Sequence, residues 1–400
     1  MSASDAPPAL RALVLANGPD RGAVAGARAL HRAGWKVDVG SSDPRGGLVG
    51  ASRWVEHVHV MPRPRGDGAD FVAAVTDVHE RVGYDLLFGA GDDWMAAAAY
   101  YADELPVPVA HPDSDTVRRA MDKLELPRLA EQAGLHSSET RLVGEDLDDV
   151  VAEWGFPIVV KNRVHWHPGQ VRTFRVETAI AQDRATLDAI LAHPMDPGDE
   201  PVIQRHVQGR LGALVGVMHE GRLLGRVQQE ASRVWPTPSG ASARAMTVPL
   251  DEDFADRAEH FLNLLGWHGL VELQYLQDDD GARRLVDVNG RFYGSLALAE
   301  KARPGLSDAW ARSVLGLPVP ELGPGRVGVR YQWFAGDVRR ALVERRGGVV
   351  TDLASSVAWA TRAQHSVLDG ADPEPVLRLL QGSAHSAGRH SKTSRPGGHA

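Results

Sequence analysis

The sequence predicts an α/β (α+β) protein in which a parallel α/β domain precedes antiparallel hairpins. Between residues 12 and 110, short apolar segments alternate with segments of helical periodicity, an order typical of a parallel sheet. Between residues 201 and 289, strand-like segments follow one another with short turns or one helix between them, which indicates antiparallel pairing. A chain of 400 residues with 43% apolar residues is long enough for roughly two or three domains.

Residues 1–110 are expected to form the parallel domain. Ala12–Ala16 is a short apolar strand, and Val24–Ala33 has helical spacing that Gly34 ends before the strand Val37–Val39. The same alternation predicts strands at 58–61, 86–88 and 107–110 and helices at 71–82 and 94–104.

The glycines of this domain do not support a dinucleotide site. Gly18, Gly22 and Gly26 lack the G-x-G-x-x-G spacing. The segment Gly89–Asp93 follows a strand end, where open α/β sheets place ligands, although such a sequence is more often only a turn and a helix cap. We therefore interpret the domain as a scaffold that contributes at most one ligand-contacting loop.

The next segment, residues 111–200, contains two lysines with different surroundings. Lys123 follows a helix that residues 113–115 can cap, and taken alone it is an ordinary surface lysine. Lys161 instead ends an apolar strand that begins at Phe156, and a buried ammonium needs an anionic partner. Lys161 therefore favours a phosphate ligand.

The loop His165–Gly169 carries two histidines two residues apart, a spacing that could chelate a metal from one strand face. No thiolate accompanies them, and the Pro168–Gly169 pair is typical of a mobile loop. We favour a lid or a substrate-side loop over a metal site.

The segment from residue 201 to residue 318 is expected to form antiparallel structure. Successive strands are expected at 201–207, 213–218 and 222–226. Arg233–Ala243 is rich in Pro, Gly and Ser, and we interpret it as an irregular functional loop that combines a cation with free backbone amides. A helix with a buried stripe from Phe254 to Leu265 then leads into an acidic hairpin.

The acidic hairpin lies within His268–Leu298, around which we interpret the rest of the chain. Asp287 and Asn289 lie on one face of its second strand, and Glu272 of the first strand can face them if the register agrees. Three oxygen ligands on a rigid platform suit Mg²⁺, and Arg291 shares their face. Such a pattern alone more often marks a solvated acidic face, so the assignment depends on the other motifs.

A C-terminal α/β extension, residues 319–381, is expected after two packing helices and a Pro-Gly linker at 316–325. It is expected to contain a strand, a helix at 337–344 and a helix that ends near Ala363. Residues 382–400 contain no large apolar side chain, and we expect them to be disordered.

The composition excludes several kinds of site. The absence of cysteine excludes disulfides, zinc-thiolate sites and thiol nucleophiles. The net charge of -8, with dispersed basic residues, provides no basic patch for nucleic acid. No apolar run approaches a membrane span and no signal-peptide pattern opens the sequence, so we expect a soluble, cytoplasmic protein. A homodimer is the default expectation.

Five motifs occur in a fixed order along the chain. They are Asp122–Lys123, Phe156–Lys161, Val202–Gly209, the R-x-x-P-x-x-SGAS pattern of Arg233–Ser242, and G-x-VELQ followed by LVDVNGRFYGSLALA between residues 269 and 299. Together they resemble the ATP-grasp superfamily, in particular the carboxylate–amine ligases that are similar to half of carbamoyl-phosphate synthetase. The resemblance covers roughly residues 10–380. It implies a preceding α/β domain and two lobes that clasp ATP between antiparallel sheets.

The resemblance implies a role in binding ATP, metal or substrate for each motif. The phosphate ligands would be Lys123 and Lys161, and the hinge whose backbone meets adenine would be Gln204, Arg205, His206 and Val207. The ligands of Mg²⁺, or of Mn²⁺ in its place, would be Glu272, Asp287 and Asn289. Arg291 would contact the transferring phosphoryl group or the acyl phosphate, and the implied catalytic residues are Arg291 and Lys161. The acceptor carboxylate would be held by Arg233 with Ser239, Gly240, Ala241 and Ser242.

The implied reaction is the ATP-dependent joining of a small-molecule carboxylate to an amine, with an amino acid as the expected substrate. Phosphoryl transfer depends on positioning and cations more than on proton transfer, which agrees with the lysines, the arginine and magnesium. Two alternatives stay open. One is an enzyme of the same fold that uses bicarbonate. The other is a nucleotide-binding regulatory protein without turnover, since Arg205 stands where the family commonly has an acidic residue.

Overall fold

The structure is a computed structural model that describes residues 9–144, 146–170, 178–193 and 198–381. The expectation of a disordered tail at 382–400 therefore falls outside the described residues. Within them the strands form three sheets, of four, eight and four strands. The predicted combination of a parallel domain with antiparallel structure is confirmed, because one four-stranded sheet is parallel and the other two sheets are largely antiparallel.

The N-terminal domain is the parallel sheet and its helices. Its strands are β1 (Arg11–Leu15), β2 (Lys36–Ser41), β3 (Val55–Val60) and β4 (Leu86–Gly89), and its helices are α1 (Arg21–Arg32), α2 (Ala69–Val82) and α3 (Asp92–Tyr100). The strand order is β3-β2-β1-β4. The central strand β1 is buried on both faces, since Leu13 packs into one core and Val14 into another. The strand expected at 107–110 forms only an isolated parallel bridge, between Leu87 and Val109.

A connecting segment leads from this domain to the lobes. It contains α4 (Ser114–Met121), α5 (Glu125–Gln132) and the short strand β5 (His136–Ser137). Leu126 and Leu129 of α5 share a core with the large lobe. The domain boundary predicted at residue 111 assigned this segment to the small lobe. In the structure, its helix α5 packs with the large lobe.

The small lobe is an antiparallel sheet with two helices. Its elements are β6 (Thr140–Leu142), α6 (Leu147–Trp154), β7 (Ile158–Asn162), β8 (Ala179–Ala181), α7 (Arg184–Leu191) and β9 (Pro201–Arg205). The strand order is β6-β9-β7-β8. The sequence pattern grouped β9 with the strands after residue 210, but β9 pairs with β6 and β7. Alternation identifies a strand without identifying its partner, so this lobe extends beyond residue 200.

The large lobe is built on the eight-stranded sheet, in the order β16-β15-β12-β11-β10-β13-β14-β5. Its own elements are β10 (Arg210–His219), β11 (Arg222–Trp235), β12 (Ala241–Thr247), α8 (Glu252–Leu265), β13 (Gly269–Gln277), β14 (Arg283–Asn289), α9 (Leu296–Ala302) and α10 (Leu306–Val314). Phe261 of α8 packs on one face of the sheet with Leu273. Trp310 of α10 packs on the other face with Val215, beside the N-terminal domain.

The expected irregular loop at Arg233–Ala243 is instead the end of a hairpin. Val234 pairs with Ser242 and Trp235 with Ala241, so only residues 236–240 form a turn. Because of the prolines at 236 and 238, the sequence predicted that the strand ends before Arg233. Two irregularities in the β11–β12 register instead let the strands continue to Trp235.

The C-terminal extension completes the large sheet. Its elements are β15 (Arg330–Gln332), α11 (Phe334–Glu344), α12 (Val349–Ala360) and β16 (Ala363–His365), and residues 374–381 are helical. The strand β15 pairs with β12, and β16 pairs with β15. Arg28 of α1 donates to Asp372 at 2.8 Å, and Ser52 donates to the same carboxylate at 2.7 Å. The extension is thus attached to both the sheet and the N-terminal domain. Over the described part of the chain, no helix has the length and apolarity needed to cross a membrane.

Candidate active site

The acidic hairpin has the register that the sequence required. Glu272 of β13 lies opposite Asn289 of β14, and Gln274 lies opposite Asp287. All four side chains therefore share one face of the sheet. The predicted hairpin is confirmed, and its polar face meets the N-terminal domain and the small lobe.

Glu272 is a buried carboxylate with several hydrogen-bond donors. It is 3% exposed. Asn289 and Gln274 both donate to Oε2 at 2.9 Å, and Ser295 donates to Oε1 at 2.8 Å. Burial raises the pKa of Glu272, and the hydrogen bond from Ser295 offsets this only in part. A bound cation would favour the ionised form, because a nearby positive charge lowers the pKa of a carboxyl group.

Asp287 is paired with a buried lysine. Lys123, 3% exposed, donates from Nζ to Oδ1 of Asp287 at 2.6 Å. Burial by itself would raise the pKa of Asp287, but Lys123, His165 and Lys161 outweigh it and hold the pKa below its usual range. Asp287 therefore stays ionised, and Lys123 is part of the acidic site instead of a surface lysine.

Lys161 points toward the same place from the small lobe. It lies near the end of β7, and no hydrogen bond or ion pair satisfies its ammonium within the described residues. Burial, and then the charge of Lys123, lowers the pKa of Lys161 to about 8, while Asp287 opposes this shift. An anion bound between Lys161 and Lys123 would stabilise both charges.

The donor set fits a divalent cation. Glu272, Asp287 and Asn289 provide carboxylate and amide oxygens from neighbouring strands, and Mg²⁺ prefers a few such ligands with water and phosphate completing its shell. Arg291 donates from Nη2 to Oδ1 of Asn289 at 3.2 Å, which orients that amide oxygen. The donor set is therefore compatible with Mg²⁺ that also contacts phosphate oxygens.

The segment between the lobes has free backbone groups. Gln204 is buried and donates to Thr140 at 3.0 Å. Arg205 is exposed, and its side chain contacts Glu139 at 3.5 Å. In the parts of the chain described here, His206 and Val207 form no hydrogen bond with other backbone groups. Their amides and carbonyls can therefore meet the edge of a planar base, and the outward-pointing Arg205 side chain does not block them.

Comparisons with solved structures support the fold, whereas the comparisons of sequence found no match. No protein-family model matches the sequence, and no curated protein matches it. The structure is similar to N5-carboxyaminoimidazole synthetase from Staphylococcus aureus, with a TM-score of 0.60, 12% identity and 80% of each chain covered. It is similar to L-amino acid ligase from Bacillus licheniformis, with a TM-score of 0.57, 15% identity, and 77% of this chain and 75% of that chain covered. It is also similar to biotin carboxylase from Campylobacter jejuni, with a TM-score of 0.61, 13% identity, and 80% of this chain and 74% of that chain covered.

These neighbours share one architecture, that of ATP-grasp ligases. The chain has the ATP-grasp fold. The ATP-grasp cleft is the space between the antiparallel sheet of the small lobe and the polar face of the large sheet. Lys161 lines this cleft from the small lobe, whereas Lys123 and the acidic hairpin line it from the other side.

Arg233, predicted to hold the acceptor carboxylate, is not brought together with Arg291. It pairs across strands with Arg244, whose side chain donates to Asp337 of α11 at 2.6 Å. Burial, and then the charges of Arg346, Arg340 and Arg244, lowers the pKa of Arg233. Its side chain therefore faces the C-terminal helices. Substrate binding by Arg233 and by residues Ser239 to Ser242 stays a prediction.

The sequence reasoning missed contacts that the N-terminal domain makes with Arg291 of the candidate site and with the C-terminal extension. Arg291 donates from Nε to Asp92 at 2.5 Å. Arg21, the first residue of α1, lies over the ring of Trp333 at 3.9 Å and donates to the Tyr331 hydroxyl at 3.3 Å. The only sequence signal was Gly89–Asp93 at a strand end, interpreted as a turn and a helix cap. Sequence spacing does not show which residues of separate domains meet.

Proposed function

We propose that the protein is an ATP-dependent carboxylate–amine ligase that forms an amide or peptide bond and releases ADP and phosphate. One observation carries this proposal: Lys161 and Lys123 lie at the acidic hairpin of Glu272 and Asp287, in the cleft of an ATP-grasp fold. Cations beside oxygen ligands of a metal are the groups that phosphoryl transfer requires. The structure of an L-amino acid ligase is among those with a similar fold, which supports this reaction class.

In the proposed reaction, the chain binds ATP with its phosphates between Lys123 and Lys161 and its adenine at His206 and Val207. Mg²⁺ held by Glu272, Asp287 and Asn289 would neutralise charge on the phosphate oxygens. The carboxylate of the substrate attacks the γ-phosphorus, the bond to the β–γ bridging oxygen breaks, and ADP leaves.

The second step consumes the acyl phosphate. The amine attacks the acyl carbon, the carbon–oxygen bond to phosphate breaks, and the amine loses a proton as the amide forms. Arg291 is held at its Nε by Asp92, and its Nη2 donates to Asn289, so its guanidinium is fixed at the acidic hairpin, where the phosphoryl group would react. A fixed cation stabilises charge that develops on phosphoryl and acyl oxygens without reorganisation during the step.

The experiment measures ADP and phosphate release from Mg-ATP with pooled amino acids and small carboxylates. Wild-type protein is compared with Lys161→Ala and Glu272→Gln, and with Lys301→Ala as a control in which an exposed lysine of α9 is removed. Release that depends on a pool, on Lys161 and on Glu272, but not on Lys301, supports the ligase. Mg-ATP binding without release in any pool would favour the regulatory protein, and the absence of binding would contradict the proposal.

A further inference from the structure

Asp92 occupies a position where three parts of the chain meet. It is the first residue of α3, directly after β4 in the N-terminal domain. Its side chain is 12% exposed. Oδ1 accepts from Nε of Arg291, in the large lobe, at 2.5 Å, and Oδ2 lies 2.8 Å from Nδ1 of His165, in the small lobe.

The contacts of Asp92 are not those of a helix cap. The residue before α3 is Gly91, which provides no side-chain cap. In the described part of the chain, the Asp92 carboxylate accepts no backbone amide, and its partners are Arg291 and His165. Its neighbour Asp93 serves the local structure, since it accepts from the Trp94 amide at 3.0 Å and pairs with Arg63 at 3.3 Å.

His165 belongs to a loop that rests on the N-terminal domain. Trp166 donates from Nε1 to the carbonyl of Pro64 at 3.3 Å. Gly169 donates to the carbonyl of Gly66 at 3.1 Å, and Gly66 donates to the carbonyl of Gln170 at 3.3 Å. The loop follows Lys161 by only a few residues, so its position against the N-terminal domain constrains the end of β7.

Arg291 depends on the same carboxylate. Among the described residues, its other hydrogen bonds are donations to Asn289 Oδ1 at 3.2 Å and to the Phe292 carbonyl at 3.3 Å, both within its own strand end. Asp20 of the N-terminal domain also acts on Arg291, but only through its charge. Asp92 is therefore the hydrogen-bond partner that fixes the guanidinium from outside the hairpin. Although burial opposes ionisation, Arg291 and His165 hold the pKa of Asp92 well below its usual range, so the carboxylate is charged.

We propose that Asp92 is a positioning residue of the active site, which holds Arg291 in place and keeps the loop 163–170 against the N-terminal domain. The kinetic part of this inference rests on the proposed ligase function. The carboxylate does not contact the reacting atoms. It acts by fixing the cation on one side of the cleft and the loop that follows Lys161 on the other.

The test compares Asp92→Asn with Asp93→Asn, which removes the adjacent charge that pairs with Arg63. For Asp92→Asn we expect kcat to fall about 10- to 100-fold, because small displacements of catalytic groups have effects of this size, while KM for ATP stays unchanged. Asp93→Asn is expected to retain kcat. Equal kcat in Asp92→Asn and wild type would overturn the positioning of Arg291.

Hydrogen exchange gives a second readout that does not need turnover. In Asp92→Asn the amides of residues 163–170 are expected to exchange about tenfold faster, because a charge-assisted hydrogen bond that closes the loop is weakened. Exchange in β10 and β13 is expected to stay at the wild-type rate, which excludes global unfolding. Unchanged exchange in the loop would contradict the proposal.

The two readouts separate this inference from the ligase assignment. If wild-type protein turns over no substrate pool, the ligase proposal fails, and the loop exchange of Asp92→Asn still decides whether Asp92 holds the loop. A double-mutant cycle with Asp92→Asn and His165→Gln tests the contact itself. Two residues that share one contact are expected to show non-additive effects on loop exchange. Additive effects of Asp92→Asn and His165→Gln would show that the two side chains act separately.

Discussion

The ammonium of Lys123 lies 2.6 Å from Oδ1 of Asp287, although the two residues are 164 positions apart in the chain. The pair joins the segment after α4 to the second strand of the acidic hairpin. Lys123 is buried, whereas the Asp287 side chain is 24% exposed. The pair thus fixes the Lys123 ammonium at the acidic hairpin before any ligand binds.

Replacement of Lys123 with Met should destabilise the protein by about 2–3 kcal/mol, because Asp287 would keep a largely buried charge without its partner. The free energy of unfolding in urea, measured without Mg²⁺, tests this. The double variant Lys123→Met/Asp287→Asn should recover part of the loss, since both charges are then absent. Equal stability of wild type and the single variant would show that the pair contributes nothing.

The lowered pKa of Lys161 predicts a pH dependence of ATP binding. Since this pKa is about 8 in the free protein, the ammonium is lost as the pH rises through that value. ATP affinity should therefore fall about tenfold between pH 7 and pH 9. Lys161→Arg keeps its charge over this range and should bind ATP with little pH dependence, as titration calorimetry would show. The same slope for both proteins would assign the dependence to another group.

The lowered pKa of Lys161 also predicts that the stability of the free protein rises with pH, whereas its ATP affinity falls. A buried ammonium whose pKa is lowered destabilises the folded state fully below pH 8, and this cost disappears between pH 8 and the pKa of an unfolded lysine, about 10.4. Lys161→Met should therefore be more stable than wild type at pH 7 and equal to it near pH 11. Thermal unfolding at both pH values, without nucleotide, measures the difference.

Glu272→Gln should separate stability from metal binding. Because burial raises the pKa of Glu272, its stabilising contribution is present at low pH and is lost as the pH rises through the folded-state pKa. At neutral pH without Mg²⁺, the variant should be at least as stable as wild type. Added Mg-ATP should raise the melting temperature of wild type but not that of the variant. A shift of equal size in both would remove Glu272 from the metal site.

The close packing of α1 against the Arg291 segment predicts an effect of Gly22→Ala. A Cβ at Gly22 would overlap the carbonyl of Phe292, the residue after Arg291. The variant should lose about 1–3 kcal/mol of stability, the usual cost of overpacking, and kcat should fall because the Arg291 segment moves. Gly323→Ala is the control, since nothing lies near its added Cβ. Wild-type values of both quantities in Gly22→Ala would contradict the packing.

The sequence predicted the acidic hairpin well because its information is local. Alternation fixes that Asp287 and Asn289 share a face, but the pairing of Glu272 with Asn289 also depends on a one-residue irregularity between Gln274 and Tyr275, which the sequence did not predict. The placement of β9 in the small lobe and of Arg233 toward α11 could not be obtained in this way, since both depend on which strands pair over long distances. Asp92 was missed for the same reason, because its partners belong to two other parts of the fold.

The path of the chain through the large sheet has a consequence for how the cleft opens. The chain leaves the sheet after β5, at its edge, and returns at β10, three strands away, which is about 14 Å. A further connection lies beside Lys161, because the Lys123 amide donates to the Arg163 carbonyl at 2.9 Å and Arg163 donates to the Asp122 carboxylate at 2.8 Å. The end of β7 is therefore joined to the segment that carries Lys123. If the rest of the small lobe rotates, the two lysines should keep their separation.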